Sequence, residues 1–163
     1  MRVWSAGCAS GEEPYTLAIM GELGAPRRAD LQILATDIKQ AVLDRAERGH
    51  YPRSAVRDLP ATWRQAAFHA VEDELVLHPR FRGAVTFVRH DIRDPPPPGP
   101  FDLVLCRYQA FTYFDDAGQR ATTGTFAQVM EPGAVLVLGS REQLPDEGAF
   151  TPWSQRLGVF RRS

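Results

Sequence analysis

Four short runs, at residues 2–5, 31–36, 101–106 and 134–139, place apolar residues on both faces of an extended chain, and each is bounded by Gly, Pro or Asp. That pattern marks strands covered on both faces, the habit of parallel sheets. Helical stretches separate them at residues 14–23, 40–48 and 117–130. Gly49 provides the stop of the second helix, and Glu131-Pro132-Gly133 reads as a turn into the next strand. Strands alternating with helices over short links predict an α/β chain with a parallel sheet and right-handed crossovers.

Two regions depart from the alternation. Residues 53–65 read as one or two short helices, followed by apolar runs at 66–71, 75–78 and 85–88. Three short strands there predict a small antiparallel β insertion, about residues 51–89, before the main sheet resumes. Near the C-terminus, residues 150–155 and 158–162 read as two strands joined tightly at Leu157-Gly158, an antiparallel hairpin closing the sheet. Pro95 to Pro98 form a rigid extended connector.

Length and composition narrow the classes. At 163 residues, one domain spanning 1–163 is the expectation, large enough to bury a core without staples. A net charge of −1 excludes the basic footprint of a nucleic-acid binder or of a membrane-surface protein. No apolar run reaches membrane-spanning length and no leader precedes the first strand, so the expected compartment is the cytoplasm. The 2 cysteines, Cys8 and Cys106, make no disulfide framework. The histidines, His50, His69, His78 and His90, show no metal spacing, and no metal site is expected.

Candidate chemistry gathers after the first strand, at Ala6-Gly7-Cys8-Ala9-Ser10-Gly11-Glu12-Glu13-Pro14. Gly7 and Gly11 let backbone approach a ligand without interference from a Cβ. Pro14 suits a first helical turn, whose N–H groups lack intrahelical partners, and Glu12 and Glu13 suit the positive end of the helix dipole. One of the two carboxylates facing a ligand ammonium is a second reading, and the sequence leaves open which. A strand, a glycine turn and a helix form the ligand-binding corner of a doubly wound sheet. Asp37 ends the second strand, where an acid hydrogen-bonds ribose hydroxyls; capping the following helix is the structural alternative, worth about 1 kcal/mol.

The wording of these segments resembles a known family. Ser5 through Ala18 is similar to the first motif of the CheR-type protein-glutamate O-methyltransferases. Ile33-Leu34-Ala35-Thr36-Asp37-Ile38, Phe101-Asp102-Leu103-Val104-Leu105-Cys106-Arg107 and Tyr113-Phe114-Asp115 follow in the family's order. The resemblance implies a Rossmann-like class I methyltransferase sheet with its C-terminal hairpin. It also implies S-adenosyl-L-methionine (AdoMet) as cofactor and S-adenosyl-L-homocysteine as product. Carried onto this chain, the cofactor contacts are Ala6, Gly7, Ser10, Gly11, Glu12, Glu13, Asp37, Ile38, Asp91, Ile92, Arg107 and Tyr108, with Tyr113 on the acceptor side as the catalytic candidate. Asp91-Ile92 stands where the family has Asn-Leu against adenine, and a turn-forming Asp91 is the alternative. Tyr108 replaces an Asn that reaches the cofactor; a tyrosine there stacks, hydrogen-bonds or blocks the site. For Tyr113 the alternative is a core aromatic.

The implied activity is methyl transfer to a carboxylate of a protein, or to a small-molecule acceptor. In some relatives the β insertion docks a receptor peptide; a lid or packing flap is the other reading of it. The family carries a helical segment ahead of the first strand, and this chain starts on that strand, as a fragment or a minimal form would. A non-catalytic AdoMet-binding module is therefore the alternative function. An NAD enzyme is a third, set aside because its sheet would continue with another helix-linked parallel strand.

Overall fold

The computed structural model describes residues 1–24, 30–145 and 148–163. In chain order the elements begin with β1 (Arg2–Ala6), α1 (Glu12–Leu23), β2 (Gln32–Asp37), α2 (Gln40–Arg48) and β3 (His50–Pro52). A 3₁₀ turn at Arg53–Val56 leads to α3 (Ala61–Ala67), β4 (Phe68–Val71) and β5 (Glu74–Leu77). Then come β6 (Val85–Arg89), β7 (Phe101–Cys106), α4 (Ala110–Tyr113), α5 (Asp116–Val129) and β8 (Met130–Leu138). The hairpin strands β9 (Phe150–Ser154) and β10 (Val159–Arg162) close the chain. The result is mixed α/β, with a mainly parallel central sheet and a separate small antiparallel sheet. The chain divides into two compact units, one of Met1–Gly7 with His90–Ser163, the other of Cys8–Arg89.

In the first unit the strands run in the order β1-β7-β8-β10-β9. β1 and β8 both flank β7 in parallel, with Val3 opposite Leu103 and Cys106 opposite Leu138. β10 pairs antiparallel with β8 on one side and β9 on the other, which is the hairpin expected from the sequence. Its link is a 3₁₀ turn, Gln155–Leu157, closed by left-handed Gly158. Trp4 is fully buried and anchors this core, with Phe126 edge-on at 5.4 Å and Phe101 at 5.7 Å. Edge-to-face pairs add about 0.5–1.5 kcal/mol to the area they bury. Glu131-Pro132-Gly133, expected as a turn ahead of the strand, instead lies within β8, where the register shifts between the pairs Phe101–Met130 and Leu103–Val135.

In the second unit β2 and β6 run parallel, with Ala35 opposite Phe87. The small sheet has the order β3-β5-β4, antiparallel throughout. That corrects the assignment of its third strand. The run at 85–88 pairs with β2 instead, and His50–Pro52 supplies the third member. Tyr15, Ile19, Tyr51, Leu77 and Phe81 form the unit's main apolar cluster. Both tyrosine hydroxyls find carbonyls: Tyr51 donates to Ser10 at 2.8 Å and Tyr15 to Ala46 at 3.1 Å. Burial pushes the Tyr15 hydroxyl up to about 12 and raises Tyr51 as well, so both stay neutral donors. α2 ends at Gly49, whose φ of 64° lets its N–H reach back to Arg45 and Ala46.

Candidate functional site

The turn after β1 is built from backbone bonds before any side chain enters. In the second unit, Cys8 N–H donates to Thr36 at 2.9 Å and Gly11 N–H donates to Cys8 at 3.0 Å. Ala9 sits at a φ of 47°, a conformation costly for a residue with a Cβ. Its N–H donates to Asp37 Oδ2 at 3.0 Å, which holds the strained residue in place. Gly11 has a φ of 87°, and a Cβ there would stand 2.8 Å from Ala46 and 3.1 Å from the Tyr51 hydroxyl. Close packing within the unit thus demands glycine at this position, beyond any ligand approach. In the first unit, Gly7 is also left-handed, and a Cβ on it would meet the Gln109 side chain at 2.8 Å.

Asp37 ends β2 as expected and is 9% exposed. Its Oδ1 accepts from Lys39 N–H at 3.0 Å, a turn two residues long and not a cap on α2, whose cap position is Lys39 without a side-chain bond. The helix-capping alternative therefore does not hold. A carboxylate offers about four acceptor positions, and these two backbone bonds leave room for two hydroxyls. Ile38 beside it is 41% exposed, an apolar side chain open at the strand end. Glu12 and Glu13 separate: Glu12 lines a small cleft with Tyr15, Tyr51 and Phe68, whereas Glu13 is half-buried and weighs more on Cys8 than Glu12 does. Burial, then Asp37, push the Cys8 thiol up to about 12, which leaves it a neutral apolar lining group.

In the first unit Asp91 is engaged by Arg93. The guanidinium Nε lies 2.9 Å from Oδ1 and 3.1 Å from Oδ2, and Arg93 N–H donates to Oδ1 at 3.0 Å. This grip lowers the Asp91 carboxyl to about 2, and Asp94 N–H donates to Asp91 O at 2.9 Å, so the turn-forming geometry is present. Ile92 is half-buried beside it. After β7, Arg107 lies over the Tyr108 ring at 5.6 Å. Tyr108 has a φ of 53°, is 48% exposed and packs on Gly139, where an added Cβ would stand 2.6 Å from its ring. Its hydroxyl meets Ser140 Oγ at 3.2 Å, and that bond lowers the phenol from its ordinary value. Tyr113 closes α4 and is 75% exposed, which removes the core-aromatic alternative; the buried aromatic of that segment is Phe111.

Sequence reasoning missed α4 and the residue that anchors it. Glu142 is a carboxylate only 8% exposed. Oε2 accepts from Tyr108 N–H at 2.8 Å and from Gly139 N–H at 2.6 Å, while Oε1 accepts from the Thr112 hydroxyl at 2.5 Å. It fastens the loop after β7 to the end of β8. A single acid just beyond a buried strand was its only signal in the sequence. Among the described residues no group of three metal-ligating side chains comes together.

Residues 1–159 match the family described as CheR methyltransferase, SAM binding domain. The chain belongs to this family. It is 40% identical over 144 residues to a chemotaxis protein methyltransferase of Listeria innocua, covering 88% of this chain and 54% of that protein. A protein of the same name from Borreliella burgdorferi is 32% identical over 150 residues, covering 88% and 53%. The CheR-type chain thus spans about half the length of these curated relatives. Its fold is similar to that of a glycopeptide N-methyltransferase crystallised with AdoMet (TM-score 0.53, 17% identity, covering 84% of this chain and 46% of that one). AdoMet is the cofactor of the CheR domain, and the residues present fit it: Asp37 keeps acceptor positions for hydroxyls at the end of β2.

Proposed function

We propose that this chain is the AdoMet-binding, catalytic part of a CheR-type methyltransferase, and that its acceptor is a carboxylate, as in a protein glutamate. The observation that carries the reading is Asp37, a nearly buried carboxylate at the carboxyl end of a parallel strand, its known bonds all to backbone N–H. That position is where doubly wound folds hold ribose hydroxyls. The N–H groups of Cys8, Ala9 and Gly11 are already donated to Thr36, Asp37 and Cys8. The family resemblance then brings Gly7, Ser10 and Gly11 against the cofactor's methionine end, Glu12 or Glu13 to its ammonium, and Ile38, Asp91 and Ile92 to the nucleoside. Of these, Asp91 would use lone pairs that Arg93 leaves free.

When bound, AdoMet would supply an electrophilic methyl for the acceptor oxygen, with its sulfonium sulfur as the leaving group. A carboxylate acceptor is already ionised at neutral pH, so the chain needs no general base. Its residues position, and they exclude water. Tyr113 presents a hydroxyl at the end of α4, and Glu142 fixes the segment that carries it. A docking peptide is proposed on the small sheet at its largely exposed edge strand β4. No described helix is long and apolar enough to cross a membrane, and the compartment proposed is the cytoplasm.

Calorimetric titration with AdoMet, S-adenosyl-L-homocysteine and NAD tests the cofactor assignment. Micromolar binding of the two sulfur nucleotides alone supports it, and binding of NAD in their place overturns it. Transfer of labelled methyl to an acidic peptide then separates the enzyme from a binding module, which would bind the cofactor without turnover.

A further inference from the structure

A cavity of about 400 Å³ lies in the first unit, and none of the residues that line it is among the cofactor contacts named above. Arg141 and Arg156 line it, with Ser140 and Gln155 beside them and the buried Leu144 and Phe160 as apolar floor. The size is that of a small-ligand pocket. Among the described residues neither arginine has an acidic partner. Glu142 borders the cavity, but its carboxylate is committed to Tyr108, Gly139 and Thr112. Two guanidinium groups therefore line the cavity, and among the described residues neither is matched by an anion.

The location follows from strand register. Cys106 ends β7 opposite Leu138, which ends β8. Leu138 N–H donates to Gly158 at 2.8 Å, which draws the Gln155–Leu157 turn to the same end of the sheet. Cavity and Tyr108-to-Tyr113 segment thus share the carboxyl edge of these strands, the side on which α/β folds place ligands. The Tyr108 hydroxyl on Ser140 joins the two.

We propose that this cavity receives carboxylate side chains of an acidic acceptor peptide, held by Arg141 and Arg156. The inference rests on the methyl-transfer reading of the adjacent segment and adds what selects its acceptor. Carboxylates suit the cavity better than phosphate. Phosphate sites gather backbone N–H donors, and here the N–H groups of Gly139 and Tyr108 are already taken by Glu142. A carboxylate needs no such amides, since an arginine fork alone can hold it bidentately.

The test is NMR titration of the ¹⁵N-labelled chain with acetyl-Ala-Glu-Glu-Ala-amide, and with the same peptide carrying Gln in place of both Glu. The expected result is movement of the Arg141 and Arg156 Nε–H signals with the Glu peptide and none with the Gln peptide. Replacing both arginines (Arg141→Gln with Arg156→Gln) should weaken the Glu peptide about tenfold, as two solvent-accessible ion pairs allow, while AdoMet affinity by calorimetry is unchanged. Equal shifts from both peptides, or undiminished affinity in the double variant, would overturn the assignment. Inorganic phosphate displacing the peptide at lower concentration would overturn it in favour of a phosphate site. Loss of AdoMet binding alone would sink the methyltransferase reading and leave the anion site standing.

Discussion

Asp37 and Glu142 are near twins by position: each is a carboxylate at or just past the carboxyl end of a parallel strand, and they are 9% and 8% exposed. Neither forms an ion pair among the described residues. They differ in how far their acceptor capacity is used. Asp37, in the Cys8–Arg89 unit, takes two backbone N–H bonds and keeps positions open. Glu142, in the other unit, takes two N–H bonds and a hydroxyl, and ties a loop to a strand end. Burial of a charge is costly unless donors surround it, so the bond count says what each carboxylate is for. One is left with capacity for a ligand, and the other is consumed by the fold.

The sharpest way to break that distinction is Glu142→Ala, which orphans three donors at once. Stability should fall by about 3 kcal/mol, read as a drop in Tm of roughly 6–12 °C for a chain of this size. Glu142→Gln should recover most of it, since an amide oxygen accepts the two N–H bonds and its NH₂ can donate to Thr112. An unchanged Tm in the alanine variant would mean that Glu142 is not the fastening it is taken to be.

Asp37 should show the reverse profile, with affinity affected more than folding. For Asp37→Ala the expected loss is about 100-fold in AdoMet affinity by calorimetry, two charge-assisted hydroxyl bonds being worth about 3 kcal/mol together. Asp37→Asn should lose about tenfold. If the alanine variant instead melts early and still binds, the two carboxylates are alike after all.

Tyr113→Phe gives a smaller effect on a different axis. Turnover should fall roughly tenfold, in the low range for loss of one positioned hydroxyl, with AdoMet affinity and Tm unchanged because the ring is 75% exposed. Equal turnover would move the acceptor site elsewhere.

The smallest effect belongs to Asp91, a carboxylate paired to a cation rather than to amides. Arg93 depresses it from an ordinary 3.8 to about 2. A depressed carboxyl contributes stability above its unfolded value and loses it as pH falls through the folded one. The wild type and Asp91→Asn should therefore differ slightly above pH 4 and converge as pH falls through about 2 in acid-unfolding profiles. The difference is slight because the Arg93 side chain is 67% exposed and water screens the pair.

Much of this was legible along the chain. The apolar runs at 2–5 and 101–106 are the strands β1 and β7, and Gly49 stops α2 where its left-handed conformation was needed. Asp37 at a strand end followed directly from the order of residues. Other features were not legible, for reasons that differ. The run at 85–88 is extended in either sheet, and period alone cannot say which neighbour it pairs with. Glu142 carries no pattern, because two of its three donors, on Tyr108 and Thr112, come from residues far off in sequence. Gly11 was read as room for a ligand, whereas Ala46 and Tyr51, brought up by folding, are what exclude a Cβ there.

The sequence by itself determined the α/β alternation, the family and the strand-end acid, because each depends on residue types a few positions apart. Only the tertiary structure decided that His50–Pro52 completes the small sheet, that Glu142 anchors the Tyr108-to-Tyr113 segment, and that Arg141 and Arg156 face one cavity. Each of those depends on contacts between distant segments, which exist only once the chain has closed.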